Sequence, residues 1–147
     1  MEMKHYERQI EIRWADLDPN FHVRHSVYYD FGAFIRINYL QENGLTHAVL
    51  TQHHFGPIIF REECVFRREL KSGDPVTINL LLSNARQDYS RWTIVHQIKK
   101  SDQLAAVITL DGAWIDTQLR KLTNLPLEYR HVFENMPRSE NFEWNVK

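Results

Sequence analysis

The sequence predicts one domain of the α+β class, in which a single helix precedes a run of antiparallel strands. Three observations support this. The chain has 147 residues, which fits one ordinary domain and leaves little room for a second. One stretch has the 3.6-residue period of a helix, and most of the chain after it alternates with the period of two that strands show. Strands grouped apart from a helix are typical of α+β proteins.

Composition excludes several other classes. Hydrophobic residues make up 43% and charged residues 25% of the chain, so it can build a core. The formal net charge is -1, without the basic excess of phosphate-binding domains, so we expect no nucleic-acid partner. Cys64 is the single cysteine and cannot form an intrachain disulfide. With no apolar stretch of signal-peptide or membrane-helix length, we expect a cytoplasmic protein without a membrane partner.

The N-terminal third contains a strand, a turn and the helix. Residues 9–14 alternate polar and apolar side chains and predict a strand, and the next eight residues are dense in turn formers. The helix is predicted over 26–43, with Ser26 as N-cap and Gly44 as the residue that ends it. Its apolar residues lie on more than one side, so we expect it to be largely covered.

The remainder of the chain is predicted to be mostly strand. Strands are predicted at residues 57–70, 76–80, 92–99 and 104–116, with a turn at 84–90. A short helix is predicted within 125–136, followed by a tail from about 137. All belong to one domain over residues 1–147. A helix on an antiparallel sheet leaves sheet edges that need cover, which favours pairing between chains.

Residues 13–29 carry the candidate chemistry. They place Asp16, Asp18, His22 and His25 just ahead of the helix N-terminus. Backbone N–H groups there can polarise a carbonyl, and a nearby carboxylate can attack it or deprotonate a water. On composition alone, however, turn and cap chemistry is the more common explanation of an Asp-rich stretch before a helix.

The same stretch resembles the signature of hotdog-fold acyl-CoA thioesterases of the 4-hydroxybenzoyl-CoA thioesterase type. The matching residues are Asp16-Leu17-Asp18, His22-Val23 and Tyr28, and the likeness extends over roughly residues 5–127. The chain has Phe21 where the family often has Gly, and Arg24-His25 where it often has Asn-Asn. The resemblance implies a hotdog fold with a long central helix wrapped by an antiparallel β-sheet.

The resemblance also implies residue roles. Asp18 would be the nucleophile or general base, the backbone N–H of His25 would hold the oxyanion, and Asp16 would brace the turn. Tyr28 would contact the acyl group, and Phe21 would narrow the acyl pocket or pack against the helix. The family implies no cofactor, and a homodimer or homotetramer with the site at the subunit interface.

Other residues have weaker signals. His22 is a candidate to orient substrate or water. His47, His53 and His54 cluster, but no zinc-ligand spacing occurs, so we expect no metal. Glu62 and Glu63 are adjacent on a strand, so at most one faces a site, and solvated edge charges are the simpler interpretation. Basic residues on the late strands are candidates for coenzyme A phosphates, chiefly Arg86 and Arg91.

The sequence therefore predicts an acyl-CoA thioesterase that forms a carboxylic acid and free coenzyme A. Two alternatives stay open. One is a non-catalytic acyl-binding hotdog protein, and the other is a hotdog hydratase or dehydratase with a His–carboxylate pair. The acyl group, and whether the carrier is coenzyme A or a carrier protein, are also open.

Overall fold

An eight-stranded sheet and one 16-residue helix form most of the protein in a computed structural model that describes residues 5–145. The helices are α1 (Val27–Glu42), α2 (His47–Gln52) and α3 (Arg130–Glu134). Two 3-10 turns cover Trp14–Asp16 and Leu127–Tyr129. The strands are β1 (Glu7–Ile10), β2 (Phe55–Phe66), β3 (Val76–Asn79), β4 (Leu81–Ala85), β5 (Arg91–Lys100), β6 (Gln103–Asp116), β7 (Lys121–Leu122) and β8 (Arg138–Trp144).

The β5–β6 hairpin is the middle of the sheet. On one side β6 pairs with β2, and on the other side β5 pairs with β3 and β4 in succession. Beyond these, β1 pairs with β3 and β8 pairs in parallel with β4, while the short β7 pairs with the end of β6. Within the described part of the chain, β2 has β6 as its one partner strand, so its other side is a free edge.

Helix α1 lies close to its predicted span because its sequence supports both its packing and its end. Its buried residues include Val27, Phe31, Ile35 and Tyr39. Its last residue is Glu42, and the capping residue Asn43 is followed by Gly44 at φ 96°, a left-handed conformation that glycine adopts without steric cost. The Tyr39 hydroxyl donates to the backbone oxygen of Val132, which connects α1 to α3.

A β-bulge at Phe60 changes which side chains of β2 face the helix. The register with β6 shifts by one residue between Ile59 and Arg61. As a result Pro57 and Ile59 before the bulge, and Glu62 and Phe66 after it, lie opposite inward-facing residues of β6. A regular strand would alternate throughout and turn one of these halves outward.

The first predicted strand ends earlier than expected. Residues 9–14 are predicted as strand, but β1 ends at Ile10 and Trp14 begins a 3-10 turn. The reason is the side chain of Asp16, which accepts hydrogen bonds from the backbone and guanidinium of Arg13 and curls the chain. This local competition is the usual way in which Asp disrupts regular pairing.

Two predictions in the second half of the chain are also corrected. Residues 84–90 are predicted as a turn, yet Asn84 and Ala85 pair with β5 in β4, and the turn begins at Arg86. The tail from about 137 is instead β8, which pairs with β4. The predicted helix within 125–136 is observed as α3 and the 3-10 turn before it.

None of the helices in residues 5–145 is long and apolar enough to span a bilayer.

Candidate active site

The turn before α1 is held by Asp16. This side chain is 1% exposed and forms an ion pair with Arg13, with 2.7 Å between Arg13 Nη2 and Asp16 Oδ1. Hydrogen bonds from Arg13 hold the pKa of the Asp16 carboxyl below its usual range. The Asp16 backbone oxygen also accepts from the backbone N–H of Arg24, at 2.9 Å. These contacts support the bracing role that the resemblance implies for Asp16.

Asp18 lies two residues further along and is only partly buried. Its Oδ1 accepts from the backbone N–H groups of Asn20 at 2.8 Å and His22 at 3.0 Å. Its own backbone N–H donates to the backbone oxygen of His22 at 2.8 Å. Both side-chain bonds use Oδ1, so the turn fixes the carboxylate while Oδ2 takes no part in these bonds.

Asp18 shares a cleft of about 360 Å³ with three other predicted site residues, His22, His25 and Tyr28. His22 is half-buried, and its Nε2 lies 3.4 Å from Glu69 Oε2. His25 directly precedes the N-cap Ser26, so the cleft borders the first turn of α1, where backbone N–H groups have no intrahelical partner. The structure therefore brings together a carboxylate and a helix N-terminus, as predicted from the sequence.

Tyr28 forms a buried wall of this cleft. Its ring is 3% exposed and packs edge-on against Phe66, with 4.9 Å between ring centroids. Burial raises the pKa of the Tyr28 hydroxyl, which stays protonated.

We expect Tyr28→Ala to raise KM for a thioester more than it lowers kcat. If Tyr28 contacts the acyl group, as the resemblance implies, it does so equally in the ground and transition states, so its loss would weaken uniform binding. Truncating this buried ring also lowers stability by about 3 kcal/mol, so steady-state kinetics are measured well below the melting temperature. Tyr28→Phe keeps the wall and should retain the wild-type KM. A fall in kcat with unchanged KM would contradict the assignment.

Phe21 does not line the cleft. Its side chain is 54% exposed and packs on Trp14, which is 79% exposed, with 5.8 Å between ring centroids. Its φ of 64° lies in the left-handed region, where a bulky residue is strained. The resemblance places Gly at this position, and the backbone keeps the glycine-like conformation.

Arg86 and Arg91 lie outside the cleft. Arg86 closes the turn after β4 by donating its backbone N–H to the Arg91 backbone oxygen, and the Arg91 guanidinium stacks on the Phe60 ring at 5.2 Å. The cations that do line the cleft are Arg67 and Arg68, both exposed. The sequence does not indicate them, because only contacts between distant segments bring this dipeptide beside Asp18: the Val23 N–H donates to the Leu70 backbone oxygen at 2.8 Å, and His22 pairs with Lys71.

Glu62 and Glu63 point to opposite faces of β2, as predicted. Glu63 is exposed and pairs with Arg61, at 2.7 Å between Glu63 Oε2 and Arg61 Nη2. For Glu62 the prediction of a solvated charge is wrong. Its side chain is only 23% exposed and faces Arg36, with 3.7 Å between Glu62 Oε2 and Arg36 Nη1. Burial raises the pKa of the Glu62 carboxyl.

Behind this pair lies a fully buried histidine. His96 Nδ1 donates to the Asn79 backbone oxygen at 2.8 Å, since a carbonyl can only accept, and this leaves Nε2 to accept from Arg36 Nη1 at 3.0 Å. Burial and the nearby guanidinium lower the pKa of His96 to about 3. The ring is therefore neutral and acts as a fixed acceptor for Arg36.

Among residues 5–145 no cluster of three or more His, Cys, Asp or Glu side chains has the arrangement of a metal site.

Cys64 is half-buried on β2, and burial raises the pKa of its thiol to about 11. It is therefore a packing residue rather than a nucleophile.

One protein-family model matches the part of the chain that forms this fold and cleft. The model of the thioesterase-like superfamily matches residues 12–133, a range that includes the Asp18 turn, helix α1 and strands β2 to β7. The chain therefore belongs to the thioesterase-like superfamily. Comparison with curated proteins gives no match.

Solved structures share the fold at low sequence identity. The protein SAV2348 of Staphylococcus aureus, solved with CoA, is 18% identical, with a TM-score of 0.82 over 99% of this chain and 92% of the other. Slr0204 of Synechocystis, a 1,4-dihydroxy-2-naphthoyl-CoA thioesterase, is 16% identical with a TM-score of 0.78 over 89% and 96%. The DHNA-CoA thioesterase of Staphylococcus aureus is 15% identical with a TM-score of 0.79 over 90% of each chain. These likenesses show that the chain has the α+β hotdog fold.

Proposed function

We propose that this protein hydrolyses acyl-CoA thioesters, with Asp18 as the reacting carboxylate. The observation that supports this most directly is the cleft in which Asp18, fixed by two backbone N–H groups, lies beside the N-terminal turn of α1. The family match and the neighbours named as CoA thioesterases support the same assignment.

The chemistry follows from these two groups. In one route an Asp18 oxygen attacks the carbonyl carbon, the C–S bond breaks, and the thiolate leaves and takes a proton from solvent. Water then hydrolyses the mixed anhydride. In the other route Asp18 takes a proton from water as the water oxygen attacks the same carbon, the C–S bond then breaks to release the carboxylic acid, and the leaving thiolate takes the proton from Asp18 or from solvent. In both, the oxyanion would be held by a backbone N–H at the start of α1, which we assign to His25. His22 would orient the water or substrate.

Basic residues at the cleft suit a nucleotide-bearing thiol. Arg67 and Arg68 are exposed and line the cleft, where guanidinium groups can pair with phosphates. Arg91, predicted from the sequence, lies near the Pro57 end of β2 and would reach a bound coenzyme A only from a second protomer.

The free edge of β2 favours a homodimer. Four apolar side chains on this strand, Ile59, Phe60, Val65 and Phe66, are between 43% and 53% exposed, which is unusual for a strand edge in a monomer. Arg61 and Glu63 carry opposite charges near its middle. Antiparallel pairing of two β2 strands about a two-fold axis would bring Arg61 opposite the partner's Glu63. In this assembly α1 is the central helix and the joined sheets wrap it.

We expect a dimer or tetramer in solution, at two or four times the 17.6 kDa protomer mass. Light scattering at micromolar concentration measures this directly. Val65→Lys places a charge in the proposed interface and should give monomers. Leu127→Lys is the matched control, because Leu127 is 81% exposed and belongs to the 3-10 turn before α3 rather than to β2, and it should leave the mass unchanged. A wild-type monomer would contradict an interface site.

The assay that tests the function detects free thiol release from a panel of aliphatic and aromatic acyl-CoAs. Release with at least one acyl group, at a rate proportional to enzyme, is the expected result. Tight binding of the panel without release would instead indicate a non-catalytic acyl-binding protein. Hydration of an unsaturated acyl-CoA without thiol release would indicate a hydratase.

A further inference from the structure

Glu62 is an acidic side chain on the helix-facing side of β2, the strand at the free edge of the sheet. Its Oε2 atom is buried and has no hydrogen-bond partner among the described residues. A buried carboxylate oxygen in this state costs free energy unless a donor or a proton reaches it. The proposed function gives this side chain no role.

The neighbouring cation, Arg36, does not supply the missing hydrogen bond. Its Nη1 atom lies 3.7 Å from Glu62 Oε2 but 3.0 Å from His96 Nε2, to which it donates. Gly32 leaves the space for this arrangement, because a Cβ there would lie 3.0 Å from Arg36 Nη1 and 3.2 Å from His96 Cδ2. Since His96 is fully buried and neutral, it holds the guanidinium away from the carboxylate.

Two-fold pairing of β2 brings the two copies of Glu62 together. The homodimer proposed above places Arg61 opposite the partner's Glu63, and in that antiparallel register Glu62 lies opposite the partner's Glu62. Side chains directly opposite each other in an antiparallel pair lie on one face, with Cβ atoms about 5 Å apart. The two carboxyl groups therefore meet on the two-fold axis, on the side of the sheet that faces the helices.

The groups on α1 and β5 that face Glu62 leave its charge only partly compensated. Arg36 attracts the carboxylate, and the exposed Asp30 on the same helix repels it. His96 on β5 lies behind Arg36 and is neutral. Burial outweighs the attraction of Arg36, so the pKa of the Glu62 carboxyl is raised even within one protomer.

The neighbours of Glu62 within the sheet add no positive charge on its side. Arg61 and Glu63 point to the outer face, where they pair with each other. Cys64 follows Glu62 on the helix-facing side, and its thiol stays protonated because burial raises its pKa. Opposite Glu62 on β6 lies Leu110, which is apolar.

A second carboxylate on the axis makes full ionisation of the pair unfavourable. Like charges directly opposite each other destabilise a strand pair. Two carboxyl groups that share such a site titrate as a coupled pair, in which one proton is held far more tightly than in an isolated carboxyl. One proton between them also gives a hydrogen-bond partner to the buried oxygen that has none in the protomer.

We propose that the two Glu62 carboxyl groups meet on the two-fold axis of the homodimer and share one proton, so that the dimer weakens as the pH rises. The proposal rests on the homodimer proposed together with the thioesterase function. Two protomers with ionised Glu62 take up one proton from water as they pair and release it when they separate. Because the pair holds this proton to a higher pH than the free carboxyl does, its contribution is complete at low pH and is lost as the pH rises through the range in which the pair titrates.

Sedimentation of the wild-type protein over a concentration series at about pH 5, pH 7 and pH 9 measures the Kd of the dimer. We expect Kd to rise with pH by at least about 10-fold in total, and by up to about 10-fold per pH unit, the limit for one proton per dimer. Where the dimer is too tight to dissociate on dilution, subunit exchange between two labelled populations gives the same comparison through the dissociation rate. A constant Kd, or a monomer at every pH, would overturn the proposal. So would a Kd that rises as the pH falls, which would indicate an ion pair between Glu62 and the partner's Arg36.

The variant Glu62→Gln isolates the pair. Two amide side chains can hydrogen-bond across the axis without a proton, so the Kd of this variant should not depend on pH. Glu63→Gln is the matched control, since it removes a neighbouring carboxylate on the outer face and should keep the pH dependence of the wild type. A pH dependence that survives in Glu62→Gln would refute the assignment.

Infrared difference spectroscopy detects the shared proton itself. At about pH 7 the spectrum of the wild-type dimer minus that of Glu62→Gln should contain the carbonyl stretch of a protonated carboxyl group, and the difference with Glu63→Gln should lack it. A wild-type dimer without this band would refute the shared proton. Thiol release from the same preparations separates this test from the proposed function. An inactive protein with the pH-dependent dimer would uphold the shared proton and refute the function, whereas an active protein with a pH-independent dimer would do the reverse.

Discussion

Asp18→Asn is expected to lower thioester hydrolysis by at least about 100-fold, the lower end for loss of a general base. The substitution keeps the size of the side chain, and its amide oxygen can still accept the backbone N–H groups of Asn20 and His22. It removes the negative charge that attack or proton abstraction requires. Because the turn contacts are retained, the melting temperature should change little. Thiol release and differential scanning calorimetry measure the two quantities on the same preparation.

Asp16→Asn is the internal control, since it changes the same turn two residues away. Asp16 is buried and forms an ion pair with Arg13. Replacing its carboxylate by an amide removes the charged acceptor of the Arg13 hydrogen bonds and should destabilise the turn. Activity and melting temperature should therefore fall together. The catalytic assignment would be wrong if Asp18→Asn kept near-normal turnover in a folded oligomer, or if the two aspartates exchanged these effects.

Gly112→Ala should cost more stability than alanine at any other glycine that the structure describes in this sheet. A Cβ at this position would overlap Trp92 Cη2 and would lie 2.6 Å from the Ile58 backbone oxygen. Neither neighbour is a flexible chain end, so the sheet or the indole must shift. Overpacking of this kind costs about 3 kcal/mol, which corresponds to a drop of about 6–12 °C in melting temperature for a domain of this size.

Gly56→Ala is the matched control on the neighbouring strand. The nearest atom to its added Cβ is the Thr117 methyl carbon at 3.7 Å, an ordinary contact. We expect it to be neutral or slightly stabilising, because alanine reduces the freedom of the unfolded chain. Thermal melts of both variants give the comparison, and equal melting temperatures would show that Trp92 repacks freely.

The local features of the fold were predictable from the sequence. The apolar period of α1 and the residues that end it predict the helix within one residue at each end, and the Asp16–Asp18 turn is recognisable from its composition and its position before the helix. These features depend on interactions between residues close in the chain, so their signals survive without knowledge of the tertiary structure.

The features that required the structure depend on pairing between distant segments. The strand β8 resembles a polar tail, and only β4 gives it a partner. Arg67 and Arg68 reach the cleft because the segment after β2 pairs with the chain beside Asp18. Glu62 is partly buried because it faces Arg36 on α1. No periodicity in the sequence contains this information, since β-strand pairing is determined by the whole sheet.

The bulge at Phe60 means that β2 can lose one residue at this position more easily than it can gain one elsewhere. Pro57 and Ile59 before the bulge face the same side as Glu62 and Phe66 after it, because Phe60 is an extra residue with no partner on β6. Deleting Phe60 would leave a regular strand in which both halves keep their faces, and only one exposed ring would be lost. Inserting a residue elsewhere in β2 would instead turn one half to the outer face, so that the side of the sheet facing the helix would lose either Ile59 or Phe66. During divergence of this chain, loss of residue 60 should therefore be tolerated, whereas single-residue insertions elsewhere in β2 should be eliminated.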